Sequence, residues 1–362
     1  MTGFDMNDIY SMKENTASLP DAEKRRLSGR AVLALLALAL LLSVLCSFAL
    51  GRYPVSLREL GGIFLSRIPF LNMEPFWSNA QAVAIWNVRL PRILTAVLVG
   101  ACLSAAGAAY QGVFQNPIAA PDILGASAGA GFGAALAIFL GLGSAWITGF
   151  AFAASLITVF LVFIIGNRVK GEKTLGLVLA GIMISSLFQA GTSFIKLAAD
   201  PNNKLPAITY WLMGSLAGAD NNELRFIVWP MLIGMLPLWL MRWRLNVITM
   251  GDDEARAMGV DAVKVRLAVV FGATLVTAAS VSVSGMIGWV GLVIPHMTRR
   301  LVGSDYRVLM PASILAGGIF LLLVDDISRN IASMEIPIGI LTAVIGAPFF
   351  LLLIIRRDAW HA

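Results

Sequence analysis

Residues 251–260, Gly-Asp-Asp-Glu-Ala-Arg-Ala-Met-Gly-Val, hold three consecutive carboxylates and an arginine between two glycines. Carboxylates in the first turn of a helix meet the partial positive charge of its N-terminus, and Gly259 is a natural stop. Thr249 or Gly251 is placed to start such a helix, so a short helix is expected here, with Ala255 and Met258 as an apolar edge. It is either a surface linker or a lever whose apolar edge docks in the groove of a partner. A second set of charges is Arg89 and Arg92, flanking Leu90-Pro91, and Arg329, just after Asp325-Asp326. These arginines either snorkel to headgroups and cap helix carbonyls, or stand as fixed cations for the carboxylates of a soluble partner, which arginine grips bidentately.

Other chemistry is scarce. The chain has two histidines, His296 and His361, and two cysteines, Cys46 and Cys102, both in apolar runs. No metal cluster, acid–base cluster or disulfide framework can be assembled from them. His296, following Pro295, is expected to be a structural hydrogen-bonding residue. GxxxxGK[ST] is absent, as is any Gly-Lys dipeptide, so no phosphate-cradling loop is expected and any driving energy must come from another subunit.

The elements that hold these residues follow from composition. Of 362 residues, 58% are hydrophobic and 13% charged, against roughly 45–50% and about 25% in ordinary soluble domains. A mean hydropathy of +0.81 excludes a soluble enzyme, a disordered chain and a nucleic-acid-binding domain. The net charge of +6 sits in short clusters between long apolar runs. A helix needs about 20 apolar residues to cross the hydrocarbon, and in lipid each such run must satisfy its own backbone. Ten runs qualify: 31–50, 90–110, 121–141, 145–166, 174–199, 224–242, 265–284, 287–298, 308–328 and 337–355. The expected fold is an all-α polytopic membrane protein with about ten transmembrane helices. The eighth run, with Gly288, Gly291 and Pro295, is expected to cross only partly. Residues 24–49 carry features of a secretory leader, but an apolar stretch of about 20 residues exceeds a typical leader core and reads as an uncleaved first helix.

With the N-terminus in the cytoplasm, most of the 27 Lys and Arg fall on that side. They lie in the polar segment 1–30, in 167–173 (Arg168, Lys170, Lys173), in 242–266, in 299–307 and at Arg356-Arg357. The positive-inside rule then places both termini, with the tail 357–362, in the cytoplasm. Among the 34 glycines, Gly125, Gly129 and Gly133 recur every four residues; Gly100, Ser104 and Gly107 form a similar strip, as do Gly339, Ala343 and Ala347. Small strips let helix backbones approach closely, or they line a smooth pathway for a bulky substrate. Lys196, Asp325 and Asp326 lie near span ends, which argues against an ion-coupled carrier or a charged filter at membrane depth.

Six stretches carry a resemblance: RLPR (89–92), GAAYQGVFQNPIAAPDILGASAGAGFG (107–133), GDDEARAMGV (251–260), GWVGLVIPHMTRR (288–300), RVLMPASILAGGIFLLLVDDISR (307–329) and EIPIGILTAVIGAPFF (335–350). In this order, and over most of the chain from about residue 85, they resemble the FecCD type of permease from type II ABC importers, which take up iron-siderophores, haem and cobalamin. The resemblance implies the type II importer permease fold over residues 31–356, paired as a homodimer with its pathway on the two-fold axis. It implies two ATP-binding cassette subunits inside, which carry ATP and Mg, and one extracytoplasmic substrate-binding protein.

Carried onto this chain, segment 246–262 becomes the cytoplasmic coupling segment, through Asp252, Asp253, Glu254, Ala255, Arg256, Met258 and Gly259. Arg89, Arg92 and Arg329 become docking cations for the binding protein, and Asn116, Ile118, Thr174 and Leu175 the cytoplasmic gate. Gly125, Gly129 and Gly133 are assigned to helix packing or the pathway. The chain is expected to be no enzyme, to bind no cofactor, metal or nucleic acid, and to lie in the bacterial cytoplasmic membrane. The expected substrate is an iron-siderophore or haem. A cobalamin permease of the same family is the alternative, and an ion-coupled secondary transporter the alternative of a different class.

Overall fold

A chain with this hydropathy must close its backbone hydrogen bonds locally, and in the computed structural model all regular secondary structure among the described residues is helical; these residues are 28–355 apart from 52, 69, 71–73, 167 and 170–172. The polar segment up to residue 27, Lys170 and the tail with Arg356 and Arg357 lie outside the described residues. In chain order the helices are α1 (Gly29–Ala49), α2 (Leu57–Leu65), α3 (Asn79–Val83), α4 (Leu90–Val113), α5 (Ala126–Phe139), α6 (Ser144–Gly166), α7 (Lys173–Ala198) and α8 (Lys204–Leu212). There follow α9 (Asn221–Leu240), α10 (Arg242–Ile248), α11 (Asp252–Ala257), α12 (Ala262–Ser284), α13 (Val290–Val302), α14 (Tyr306–Asn330) and α15 (Ile338–Ile355).

Each of the ten apolar runs is a helix. Seven segments have the length and hydropathy of a full crossing: α1, the continuous stretch Asn79–Val113, α6, α7, α9, α12 and α14. α5, α13 and α15 are the shorter ones. α13, the irregular eighth run, has 13 residues, about 20 Å of rise, and begins only after the non-helical stretch 285–289.

The second run starts earlier than its apolarity indicates. A reciprocal cap between Ser78 and Gln81 opens α3, and a π-helical turn, Ala84–Arg89, joins it to α4. Pro91 sits just inside α4 and has no N–H to continue the regular ladder, and a wider turn is a common way to absorb such a break. Two further outer helices, α2 and α8, were not evident in the hydropathy. α2 is fixed by a capping box between Ser56 and Glu59.

α4 and α12 form the centre: 83% and 78% of their apolar windows are buried, against 17–22% in α1, α7 and α9. α4 reads Gly-Ala-Cys-Leu-Ser-Ala-Ala-Gly-Ala-Ala from residue 100, with no bulky side chain except Leu103. Neighbours therefore approach its backbone on several sides. A Cβ on Gly107 would fall 1.7 Å from the Gly291 carbonyl oxygen of α13, and one on Gly100 would fall 2.2 Å from that of Gly317 in α14.

Gly107→Ala should therefore force α13 away from α4 and destabilise the fold by about 1–3 kcal/mol or more. Gly149→Ala, in a helix with open space around its Cβ position, should be neutral or stabilising by up to about 1 kcal/mol. Thermal unfolding of the two purified variants in detergent checks the contrast.

Candidate functional site

Segment 246–262, the expected coupling segment, is held in place by polar clamps. In α10, Asn246 donates from Nδ2 to Asp305 Oδ1 at 2.7 Å and accepts the Tyr306 backbone N–H at 2.8 Å. Gln115 Nε2, from the turn after α4, donates to the Ile248 carbonyl at 2.9 Å. α10 is thereby tied to the α13–α14 corner and to the 114–120 turn.

α11 then projects. Asp252 receives both terminal nitrogens of Arg266, at 2.6 and 2.9 Å, and that guanidinium holds the Asp252 carboxyl below the usual carboxylate range. Ala255 is fully buried against the body of the protein. The helix ends in a backbone reversal, with the Val260 N–H on the Ala255 carbonyl and the Gly259 N–H on that of Arg256. Gly259 takes φ +74° there, a conformation that glycine adopts without strain.

Asp253, Glu254, Arg256, Met258 and Gly259 face outward. One expectation needs correcting. Ala255 and Met258 do not form a single docking edge: the helix stops at Ala257, so Met258 turns outward while Ala255 anchors. The exposed apolar groups are Met250 and Met258. The result is a rigid knob with a charged and methionine-bearing cap.

The four residues expected at the gate fall on two segments at the same end of the bundle. Asn116 Oδ1 accepts the Ile118 N–H at 3.0 Å, and its carbonyl accepts the Ala119 N–H, which leaves Ile118 exposed. Leu175 is exposed on the first turn of α7. Thr174 lies in α7, but its side chain is outside the described residues. The two segments meet nearly two turns deeper, where a Cβ on Gly181 would lie 2.3 Å from the Ile123 carbonyl oxygen. The strip of small residues on α5 packs against neighbouring helices rather than lining open space. Gly129 faces Thr158 and the Ala154 carbonyl, Gly133 faces the Phe150 carbonyl, and Gly125 faces Ser185 of α7.

The outer arginines are where the structure departs furthest from expectation. Arg89, Arg92 and Arg329 are all buried, and their donors are used internally rather than offered to a partner. Arg92 is bidentate to Glu335, at 3.0 Å from each of two nitrogens, and reaches Asp325 at 2.9–3.1 Å. Arg329 binds Asp326 and Ser47 and lies 3.4 Å from Asp325. Arg89 donates to the carbonyls of Phe48 and Tyr53. Capping of carbonyls at a helix C-terminus, the other reading of these residues, is what Arg89 does at the end of α1. Three cations and three carboxylates thus tie α1, α4, α14 and the 331–337 turn together. His296 also differs from expectation: its Nε2 is buried without a hydrogen-bond partner among the described residues.

Two features escaped the sequence. α7 exposes Ser186, Gln189 and Ser193, a polar stripe at helical spacing on an otherwise apolar helix. At the end of the bundle opposite α11 a cavity of about 450 Å³ is lined by Tyr210, Trp211, Ser215, Glu223 and Ser284 among others. Glu223 there accepts the Ser144 hydroxyl at 2.6 Å. Averaged hydropathy hides a stripe of three residues, and the cavity depends on α8, which has no long apolar run.

Comparison with known proteins matches residues 38–356 to the FecCD transport family. The chain is 39% identical over 321 residues to a molybdate import system permease of Haemophilus influenzae, covering 89% of this chain and 94% of that protein. It is 37% identical to a probable iron chelatin transport system permease of Helicobacter pylori, covering 89% and 97%. A solved structure of a metal-chelate type ABC transporter, in an inward-facing conformation, superposes with a TM-score of 0.80 at 38% identity, over 90% of this chain and 99% of that one.

Two predictions follow from the geometry. Arg92→Met leaves Asp325 buried with one cation fewer and should cost about 3–5 kcal/mol, seen as loss of folded protein in the membrane rather than as a selective docking defect. Arg256→Ala, which breaks an exposed pair with Asp253, should cost less than about 1 kcal/mol. Arg307, with help from the backbone and Asn246, lowers the Asp305 carboxyl to about 2 from 3.8. Its contribution to the α10–α14 clamp is then complete above pH 3.8 and disappears as pH falls through about 2. The stability difference between wild type and Asp305→Asn, followed by intrinsic fluorescence, should shrink over that window and stay constant from pH 5 to 8.

Proposed function

The chain belongs to the FecCD transport family, and from that premise we propose that it is the permease subunit of an ATP-driven importer for an iron-siderophore or haem. It is an ABC-transporter permease and a multi-pass membrane protein. The observation that carries the reading is the α11 knob, an exposed charged surface whose base is hydrogen-bonded into three span junctions. Hydrolysis is assigned to two separate ATP-binding cassette subunits, with ATP and Mg bound there, and α11 is the element they grip through Asp253, Glu254, Arg256 and Met258.

Two copies of the chain form the conduit. Gln189 supports this, because an exposed amide at membrane depth is costly against lipid and is accommodated facing water or another helix; Ser186 and Ser193, whose hydroxyls donate to the Ile182 and Gln189 carbonyls, keep the same stripe small. The end of the bundle that bears Asn116, Ile118 and α11 also bears Arg30, Arg168 and the Lys and Arg of 242–266 and 299–307, which supports a cytoplasmic placement. An extracytoplasmic binding protein would deliver the substrate. Since Arg89, Arg92 and Arg329 are spent internally, their role is to hold the outer ends of α1, α4 and α14 in the shape that docks. The cations offered to the binding protein's carboxylates are Arg58 and Arg67, exposed over Phe76 and Trp86.

Transport would proceed by two global states: nucleotide closes the ATPase pair, the α11 knobs move with it, and the packed helices rock to open one mouth at a time. A second substrate reading, molybdate, is favoured by the 39% identity to the Haemophilus influenzae permease. Cargo analysis of the cognate binding protein purified from cells separates the two readings. The ion-coupled carrier is not favoured.

In proteoliposomes containing the permease, its ATPase and its binding protein, uptake should require ATP and stop with vanadate. Glu254→Ala combined with Arg256→Ala should cut substrate moved per ATP about tenfold or more, with thermal stability unchanged. Gradient-driven flux through the permease alone would overturn the assignment.

A further inference from the structure

A groove of about 550 Å³ runs between α6 and α12. Its walls are Phe160 and Phe163 on one side and Leu267 and Phe271 on the other, and its floor reaches Val270 and Thr274. Phe160 and Phe271 stand exposed, whereas Val270 and Thr274 are buried. Thr274 pairs with the hydroxyl of Tyr110 on the central helix at 3.2 Å, so the floor of the groove is the core itself. Along α6 the lining spans residues 156–163, about 10 Å of rise, which is most of one leaflet's roughly 15 Å of hydrocarbon.

The groove occupies the second half of α6 and the first half of α12, so its open end lies at the face that carries α11. Basic groups stand at that end. Lys264 lies three residues before Leu267 and seven before Phe271, on the same helical stripe, and its side chain is 84% exposed. Arg168 is exposed two residues beyond the end of α6. Asp261 pairs with Lys264 at 3.2 Å, and Arg266 is held by Asp252. On the adjoining α9 and α10, Arg242 stacks over Trp239 at 4.1 Å and Trp243 is exposed, an aromatic and basic combination typical of a membrane–water boundary.

We propose that this groove holds one anionic phospholipid, its acyl chain between Phe160 and Phe271 and its phosphate at Lys264 and Arg168. The depth, the apolar walls and the cationic rim match one leaflet of an anionic lipid. In the orientation given above, this is the cytoplasmic leaflet. The lipid bridges α6 to α12 beside the base of α11, so it fills the seam between a peripheral helix and the core.

The test is native mass spectrometry of the full-length permease released from nanodiscs of equal phosphatidylglycerol and phosphatidylcholine. Wild type should retain one phosphatidylglycerol with about tenfold preference. Arg168→Gln with Lys264→Gln, both at exposed positions, should remove the preference without moving the thermal midpoint. Phe160→Ala with Phe271→Ala should reduce retention of both lipids. Equal retention of the two lipids by wild type would overturn the proposal, as would a preference that survives loss of the two cations. So would disulfide formation between two copies through Phe160→Cys, which would give this face to a second copy.

Discussion

Where Gly107 faces Gly291, a backbone carbonyl occupies the space that any side chain on α4 would need. Water cannot drive helices together inside a bilayer, because lipid tails are as apolar as leucine. What remains is dispersion and weak polar contact over a large area at short range, and that range is set by the absence of Cβ atoms. The same condition recurs between Gly100 and Gly317 and between Gly234 and Gly272. α4 and α12 are therefore small-residue axles on which larger helices lean, and nearly everything else is arranged by how close those axles allow a neighbour to come.

Close packing alone would leave the outer ends free to splay, and there the molecule uses charge. Arg92, Asp325 and Glu335 form a buried array with Arg329 and Asp326, while Arg89 closes the end of α1. Such groups are expensive to desolvate and are tolerated when mutually paired. The array joins helices far apart in sequence: Ser47 to Asp326, Arg92 to Asp325. It works as a geometric specification of that end of the bundle, where glycine contact gives way to longer side chains.

Much of this was legible in order and type but not in direction. Ten apolar runs were visible because a helix must be about 20 residues long to cross, and the short eighth was visible through its Gly and Pro. The helices α2, α3 and α8 were not, since their evidence is a cap or a turn rather than a long run. For the arginines, residue type and spacing located a cluster, yet spacing cannot say whether a guanidinium points out or folds back; Asp325 and Glu335 decided that from 233 and 243 residues away. The Ala255–Met258 edge failed for a local reason, because helical spacing had been extended one residue past the end of the helix.

The end of the bundle that carries α11 depends on the knob being short. α11 has six residues, about 9 Å, too little to have independent stability. Its position is imposed by Asp252 on Arg266, by buried Ala255, and through α10 by Asn246 and Gln115. A long flexible loop there would absorb a push in its own bending. A short helix fixed at both ends cannot, so a displacement of its exposed cap is shared with the three places that hold it: the head of α12, the α13–α14 corner and the 114–120 turn. The last of these carries Asn116 and Ile118 and continues into the segment against which α7 packs. Glu254 and Arg256 are therefore linked through Asp252, Asn246 and Gln115 to the turn that carries Asn116 and Ile118, and loss of any of these three side chains would loosen the seat of the cap.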